Sequence, residues 1–109
     1  MIPLQSEEIK NFITEKVDDM KARDIVELDV KDKANFTDTM LVCSGNSKQH
    51  VRSIANYVAT EAKHAGHQPL GIEGEEFGEW ALVDFGSVVL HVMTDEQREH
   101  YQLEKLWQA

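Results

Sequence analysis

Residues Trp80-Ala81-Leu82-Val83-Asp84-Phe85-Gly86-Ser87-Val88-Val89-Leu90-His91-Val92-Met93 read as two β-strands joined by the two-residue turn Gly86-Ser87. Glycine at the first central position suits a type II′ turn, whose twist matches that of paired strands. A turn this short leaves one register: Phe85 opposite Val88, Val83 opposite Leu90 and Ala81 opposite Val92. Opposed residues share a side, so these six make one wholly apolar face. The other face carries Trp80, Leu82, Asp84, Val89, His91 and Met93. An aromatic, aliphatics, a carboxylate and an imidazole together have the composition of a contact surface rather than of a core. The expectation is a sheet with one side in a core and the other side available to a partner.

The rest of the chain supplies the layers. Ser6, as an N-cap, precedes a stripe of Ile9, Phe12, Ile13, Val17 and Met20 at three- and four-residue spacing, which predicts a helix. Val26, Leu28 and Val30 alternate with Glu27 and Asp29, a half-exposed strand. Thr39-Met40-Leu41-Val42-Cys43 is an apolar, central strand. Ser47 caps a second helix with Val51, Ile54, Ala55, Val58 and Ala62 on its buried side and Gly66 just past its end. Pro69 to Ile72 is a short edge strand, and Glu73 to Glu79 is an acidic loop that leads into the hairpin. Thr94-Asp95-Glu96-Gln97 is a capping box that opens a last helical segment. The order αββαβββα predicts a single domain over residues 1–109. Its fold class is α/β, one mixed sheet of about five strands flanked by helices.

Charge narrows the partners. Eleven Lys and Arg against twenty Asp and Glu leave a net charge of −9. Nucleic-acid affinity rests on cations that neutralise phosphates, so direct DNA or RNA binding is not expected, and a basic protein is the favoured partner. No apolar run approaches the ~20 residues of a membrane span. Neither a signal segment nor a second cysteine beside Cys43 is present, so the expected location is the reducing cytoplasm.

Three constellations hold groups of the kinds that carry chemistry. Gly45-Asn46-Ser47 ends a strand and opens a helix, where backbone N–H groups can hold an anion, with Lys48, His50 and Arg52 close by; an ordinary cap with solvated basic side chains fits the same residues. Glu73, Glu75, Glu76 and Glu79 have no spacing that makes them converge on a metal ion. The histidines His50, His64, His67, His91 and His100 lack the companions of a zinc site. His91, beside Leu82 in the hairpin register, is either a hydrogen-bonded structural histidine or a contact. Cys43 lies in an apolar strand, where burial quiets a thiol. No Walker loop, GxGxxG or GxSxG is present. The window Asn56 to Glu61 after Gly45-Asn46-Ser47 holds one carboxylate, Glu61, and no pair that could share a Mg²⁺ ion. The expectation is no enzyme activity, no catalytic residue, no cofactor and no metal. Tyr101, Leu103, Leu106 and Trp107 cluster near the C-terminus; a covering helix accounts for the leucines, and aromatics in such a place are enriched at protein interfaces.

The assembled residues resemble the ribosomal silencing factor family, also known as the Iojap-like or RsfS proteins. The likeness runs from about Met20 to Trp107. It is carried by Asp24-Ile25-Val26, Leu28-Asp29-Val30, Phe36-Thr37-Asp38, Ser44-Gly45-Asn46-Ser47 with His50-Val51, and Glu73-Gly74. Gly78-Glu79-Trp80, Asp84-Phe85-Gly86, Val88-Val89-Leu90-His91-Val92, Arg98-Glu99, Tyr101 and Leu103-Glu104-Lys105-Leu106-Trp107 continue it. Thr39, Gln97 and Ser87 depart from the usual pattern.

The resemblance implies a cytoplasmic, non-enzymatic translation regulator with a fold similar to nucleotidyltransferases but without their catalytic carboxylates. Such proteins bind the large ribosomal subunit through its ribosomal protein fourteen, hinder joining with the small subunit when nutrients are scarce, and often form homodimers. Trp80, Leu82, His91, Tyr101, Leu106 and Trp107 are the expected apolar anchors, and Asp84 and Glu104 the expected partners for cations.

Overall fold

A computed structural model describes residues 6–35 and 37–108, with side chains described from 7 to 106 except at 36. The elements are α1 (Ser6–Asp19), β1 (Arg23–Asp29), β2 (Thr39–Gly45), α2 (Lys48–His64), β3 (Gly71–Glu73), β4 (Trp80–Asp84), β5 (Val88–Thr94), α3 (Asp95–Tyr101) and α4 (Leu103–Gln108). The side chain of Ser6, the expected cap of α1, and Phe36 lie outside the described residues.

The five strands form one mixed sheet in the order β1-β2-β5-β4-β3, parallel between β2 and β5 and antiparallel elsewhere. A parallel pair needs a long crossover, and α2 with the β3–β4 hairpin supplies it. The β4–β5 register is the one the two-residue turn requires, with Ala81 opposite Val92 and Val83 opposite Leu90. Gly86 has φ +88 and Ser87 does not share a positive φ, the sign pattern of a type II′ turn. β3 starts two residues later than expected, because Pro69 has no N–H for a ladder; the first bond to β4 is from Leu70 N–H to the Asp84 carbonyl.

One face of the sheet packs on α1 and α2. Leu41, Cys43, Ala81, Val83, Val88, Leu90 and Val92 meet Ile13, Val17, Val51, Ile54, Ala55 and Val58, all buried. Helix α2 begins at the Ser47 cap, whose hydroxyl accepts from His50 N–H at 3.1 Å. It ends in a Schellman motif, where His67 N–H reaches the Ala62 carbonyl and Gly66, at φ +86, donates to that of Lys63.

The opposite face corrects the expectation from the hairpin. Val89, His91 and Met93 are buried there, and Met93 joins Leu28, Val30, Met40, Val42 and Leu103 in a second core. The physical reason lies in the C-terminal segment. Gln102 takes a left-handed conformation (φ 50, ψ 52) that breaks the last helix into α3 and α4 and turns α4 back toward β1 with Leu103 beneath it. Of this hairpin face, the β4 residues Trp80, Leu82 and Asp84 stay half-buried.

Candidate functional site

The aromatic platform begins at half-buried Trp80. It stands at the start of β4 with its Cα opposite Met93. Its indole N–H donates to His91 Nδ1 at 3.0 Å, and its ring lies 4.7 Å from that of Tyr101 at 50°. Tyr101 ends α3, is half exposed and meets His100 edge-on at 4.8 Å. Phe77, 75% exposed, lines the same hollow as Trp80 and Tyr101. Spacing offered no sign of Phe77, because it sits in the acidic loop where neither helical nor strand periodicity applies.

The loop that holds Phe77 is fixed by the basic side chains at the start of α2. Lys48 Nζ pairs with Glu79 at 3.1 Å, and Arg52 donates to the Glu76 carbonyl at 3.3 Å. His50 is committed inside the fold, with Nδ1 accepting from Asn46 N–H and Nε2 bonded to the Met20 carbonyl. Gly74, at φ +79, lies so close to the Trp80 carbonyl that a Cβ there would collide with it. The cations at the start of α2 therefore clamp the 73–79 loop beside Trp80, and an ordinary cap accounts for Gly45-Asn46-Ser47. Thr94 forms half of the expected capping box. Its hydroxyl accepts from Gln97 N–H at 3.4 Å, while Gln97 Nε2 turns to Glu79 at 3.0 Å and Thr94 N–H donates to the Glu79 carbonyl.

Beside the platform lies a polar cleft of about 730 Å³ between the starts of α2 and α3, lined among others by Lys48, Glu79, Asp95, Glu96, His100 and Tyr101. Asp95 is held below its ordinary pKa by a hydrogen bond from Arg23, at 2.7 Å. Among the described residues no group of three or more His, Cys, Asp or Glu could hold a metal ion. Cys43 is fully buried, and burial pushes its thiol up to about 12.

The structure sorts the expected contact residues. Trp80 and Tyr101 come together, with Leu82 half-buried further along β4. Leu106 is 67% exposed on α4. The side chain of Trp107 lies outside the described residues. Asp84 is committed to the hairpin turn, its Oδ1 accepting from Gly86 N–H at 2.8 Å. Glu104 pairs with Arg98 at 3.2 Å, and Arg98 also donates to Ser44 Oγ at 2.9 Å, so this carboxylate braces the α3–α4 corner. His91 is 4% exposed and no surface residue; the Trp80 ring packs beside it, centroid to centroid 5.9 Å. Desolvation lowers its pKa to about 4, so it is neutral.

Comparison with known proteins decides the family. Residues 3–109 match the model described as "Ribosomal silencing factor during starvation". The chain belongs to the ribosomal silencing factor family. It is 43% identical over 96 residues to the ribosomal silencing factor RsfS of Haemophilus influenzae, covering 88% of this chain and 94% of that one. A mouse protein named "Mitochondrial assembly of ribosomal large subunit protein 1" is 39% identical over 89 residues, 79% of this chain and 39% of its own length. A crystal structure of a Chromobacterium violaceum protein, 40% identical, superposes with a TM-score of 0.94 over 97% of this chain and 88% of that one. A Bacillus halodurans structure, 38% identical, gives 0.84 over 93% and 94%. The family is one of ribosome-associated regulatory factors, so the aromatic platform belongs to a chain whose relatives are named for the ribosome.

Proposed function

We propose that the protein silences ribosomes by occupancy. It docks on the large subunit through ribosomal protein fourteen, covers the face that meets the small subunit, and so hinders joining when nutrients are limiting. The observation that carries this reading is the cluster of exposed Phe77 and Tyr101 with half-buried Trp80, on a loop, a helix and a strand. Aromatics of this kind dominate binding energies when a partner closes over them.

Charge supports a basic ribosomal protein as the contact. The net charge is −9, and Glu96 lines the cleft beside Tyr101, where Glu79 and Asp95 are paired with Lys48 and Arg23. The mouse relative's name points to the large subunit. Leu82 and Leu106 extend the apolar contact, and Trp107 is assigned to it by the family resemblance. Asp84 and Glu104 act through the turn and the helix corner they hold. The protein acts in the cytoplasm and does so without catalysis or cofactor. In the free protein the same exposed apolar side chains would serve a homodimer, which sedimentation of the free protein would detect.

Sedimentation of the Trp80→Ala protein with purified bacterial large subunits tests the reading. Loss of a central aromatic contributing about 2 kcal/mol should weaken binding roughly thirtyfold. Undiminished binding by the folded variant would remove Trp80 from the interface.

A further inference from the structure

β5 is apolar throughout its buried length except at His91. On the sheet face that holds Val89 and Met93, His91 stands between Val42 of β2 and Leu82 of β4. A leucine there would continue the second core. An imidazole instead brings two polar nitrogens out of water, which is unfavourable unless they are paired. One of them is: Nδ1 accepts from the Trp80 indole at 3.0 Å. Nε2 is buried with no hydrogen-bond partner among the described residues. Because an indole N–H only donates, Nδ1 carries no proton and Nε2 does. The bond from Trp80 is the one hydrogen bond that the ring makes among the described residues.

Trp80 sits at the start of β4, and its indole reaches diagonally across to His91 rather than to its directly opposed neighbour Met93. A half-buried tryptophan without such an anchor would bond water and sample several orientations. Here one edge of the ring is tied to the centre of the sheet and the ring packs on Tyr101. Contacts thus run from buried β5 through the indole to the exposed surface.

We propose that His91 is a positioning residue for docking: it fixes the Trp80 indole so that Trp80 and Tyr101 meet the ribosomal partner as one preset aromatic surface. This rests on the reading of that surface as the docking site. Ordering of the side chains is then complete on folding, and association need not supply it.

The test uses the full chain with His91→Leu, which keeps an apolar bulk without an acceptor, and His91→Asn, whose Oδ1 can accept in place of Nδ1. NMR of isotope-labelled protein follows the Trp80 indole N–H, assigned by its loss in Trp80→Phe. Binding to purified bacterial large subunits is measured alongside. In folded His91→Leu the indole N–H should exchange with solvent about tenfold faster and affinity should fall about tenfold, as for one lost hydrogen bond; His91→Asn should restore both to within about threefold. If His91→Leu does not fold, His91→Phe, also without an acceptor, takes its place with the same expectation. Native affinity in the acceptor-free variant, with Trp80→Ala still defective, overturns the positioning role and leaves the docking reading intact. Weak binding by a folded His91→Asn protein whose indole N–H stays protected also overturns it. Native affinity in Trp80→Ala as well would overturn the docking reading itself.

Discussion

Replacing Arg98 by alanine should destabilise the protein by about 2 kcal/mol. Arg98 lies in α3, and its guanidinium joins three elements through Ser44 at the end of β2 and Glu104 at the start of α4. Ser44 is buried and Glu104 is about one quarter exposed. Removing a charged donor from a buried hydroxyl costs about 1.5 kcal/mol, reduced here because Ser44 also bonds Asp95. The Arg98–Glu104 pair contributes less than ~1 kcal/mol after solvent screening. Two kcal/mol corresponds to a fall in Tm of roughly 8–12 °C for a domain of this size. Urea and thermal unfolding by circular dichroism measure the loss. Hydrogen exchange should quicken in α3 and α4 first, and large-subunit binding should weaken because Tyr101 ends α3. Glu104→Gln alone should cost under about 1 kcal/mol. A change below about 0.5 kcal/mol in Arg98→Ala, or a loss equal to that of Glu104→Gln, would refute this account of the corner.

Burial of neutral His91 makes stability depend on pH. Its folded pKa is about 4 against an ordinary 6.5, so the unfolded chain binds the extra proton between those values. The contribution is complete above pH 6.5 and is lost as pH falls toward 4, by up to about 3 kcal/mol, so the urea midpoint should drop over that window less steeply in His91→Leu. Gly74→Ala forces a Cβ toward the Trp80 carbonyl at a positive φ; a loss of about 1–3 kcal/mol in urea unfolding is expected. Cys43, buried with its thiol raised to about 12, should react with a thiol reagent only as fast as the protein opens. Rapid stoichiometric labelling of folded protein would contradict that burial.

Much of the fold was legible because its signals are local. Gly86-Ser87 fixes the β4–β5 register, Ser47 and Gly66 bracket α2, and the stripe of Val51, Ile54, Ala55 and Val58 marks the side that α2 buries. What sequence periodicity missed depends on how separate elements meet. The left-handed Gln102 carries no glycine or proline signal, so one helix was expected where two stand, and with it the burial of Val89, His91 and Met93 went unread. The bond from Trp80 to His91 runs diagonally, and alternation along a strand reports only directly opposed pairs. Phe77 was missed because a loop has no periodicity. Asp84, on the second face of the hairpin, and Glu104, in the C-terminal segment, also have intramolecular partners, the Gly86 N–H and Arg98, which emerge only with the turn and the corner formed.

The most direct test of silencing by occupancy is subunit joining followed by light scattering, with large subunits preloaded with this protein before small subunits are added. The account predicts that joined ribosomes fail to form in proportion to the bound protein, and that Trp80→Ala restores joining at the same concentration. Full joining while the native protein stays bound to the large subunit would contradict it.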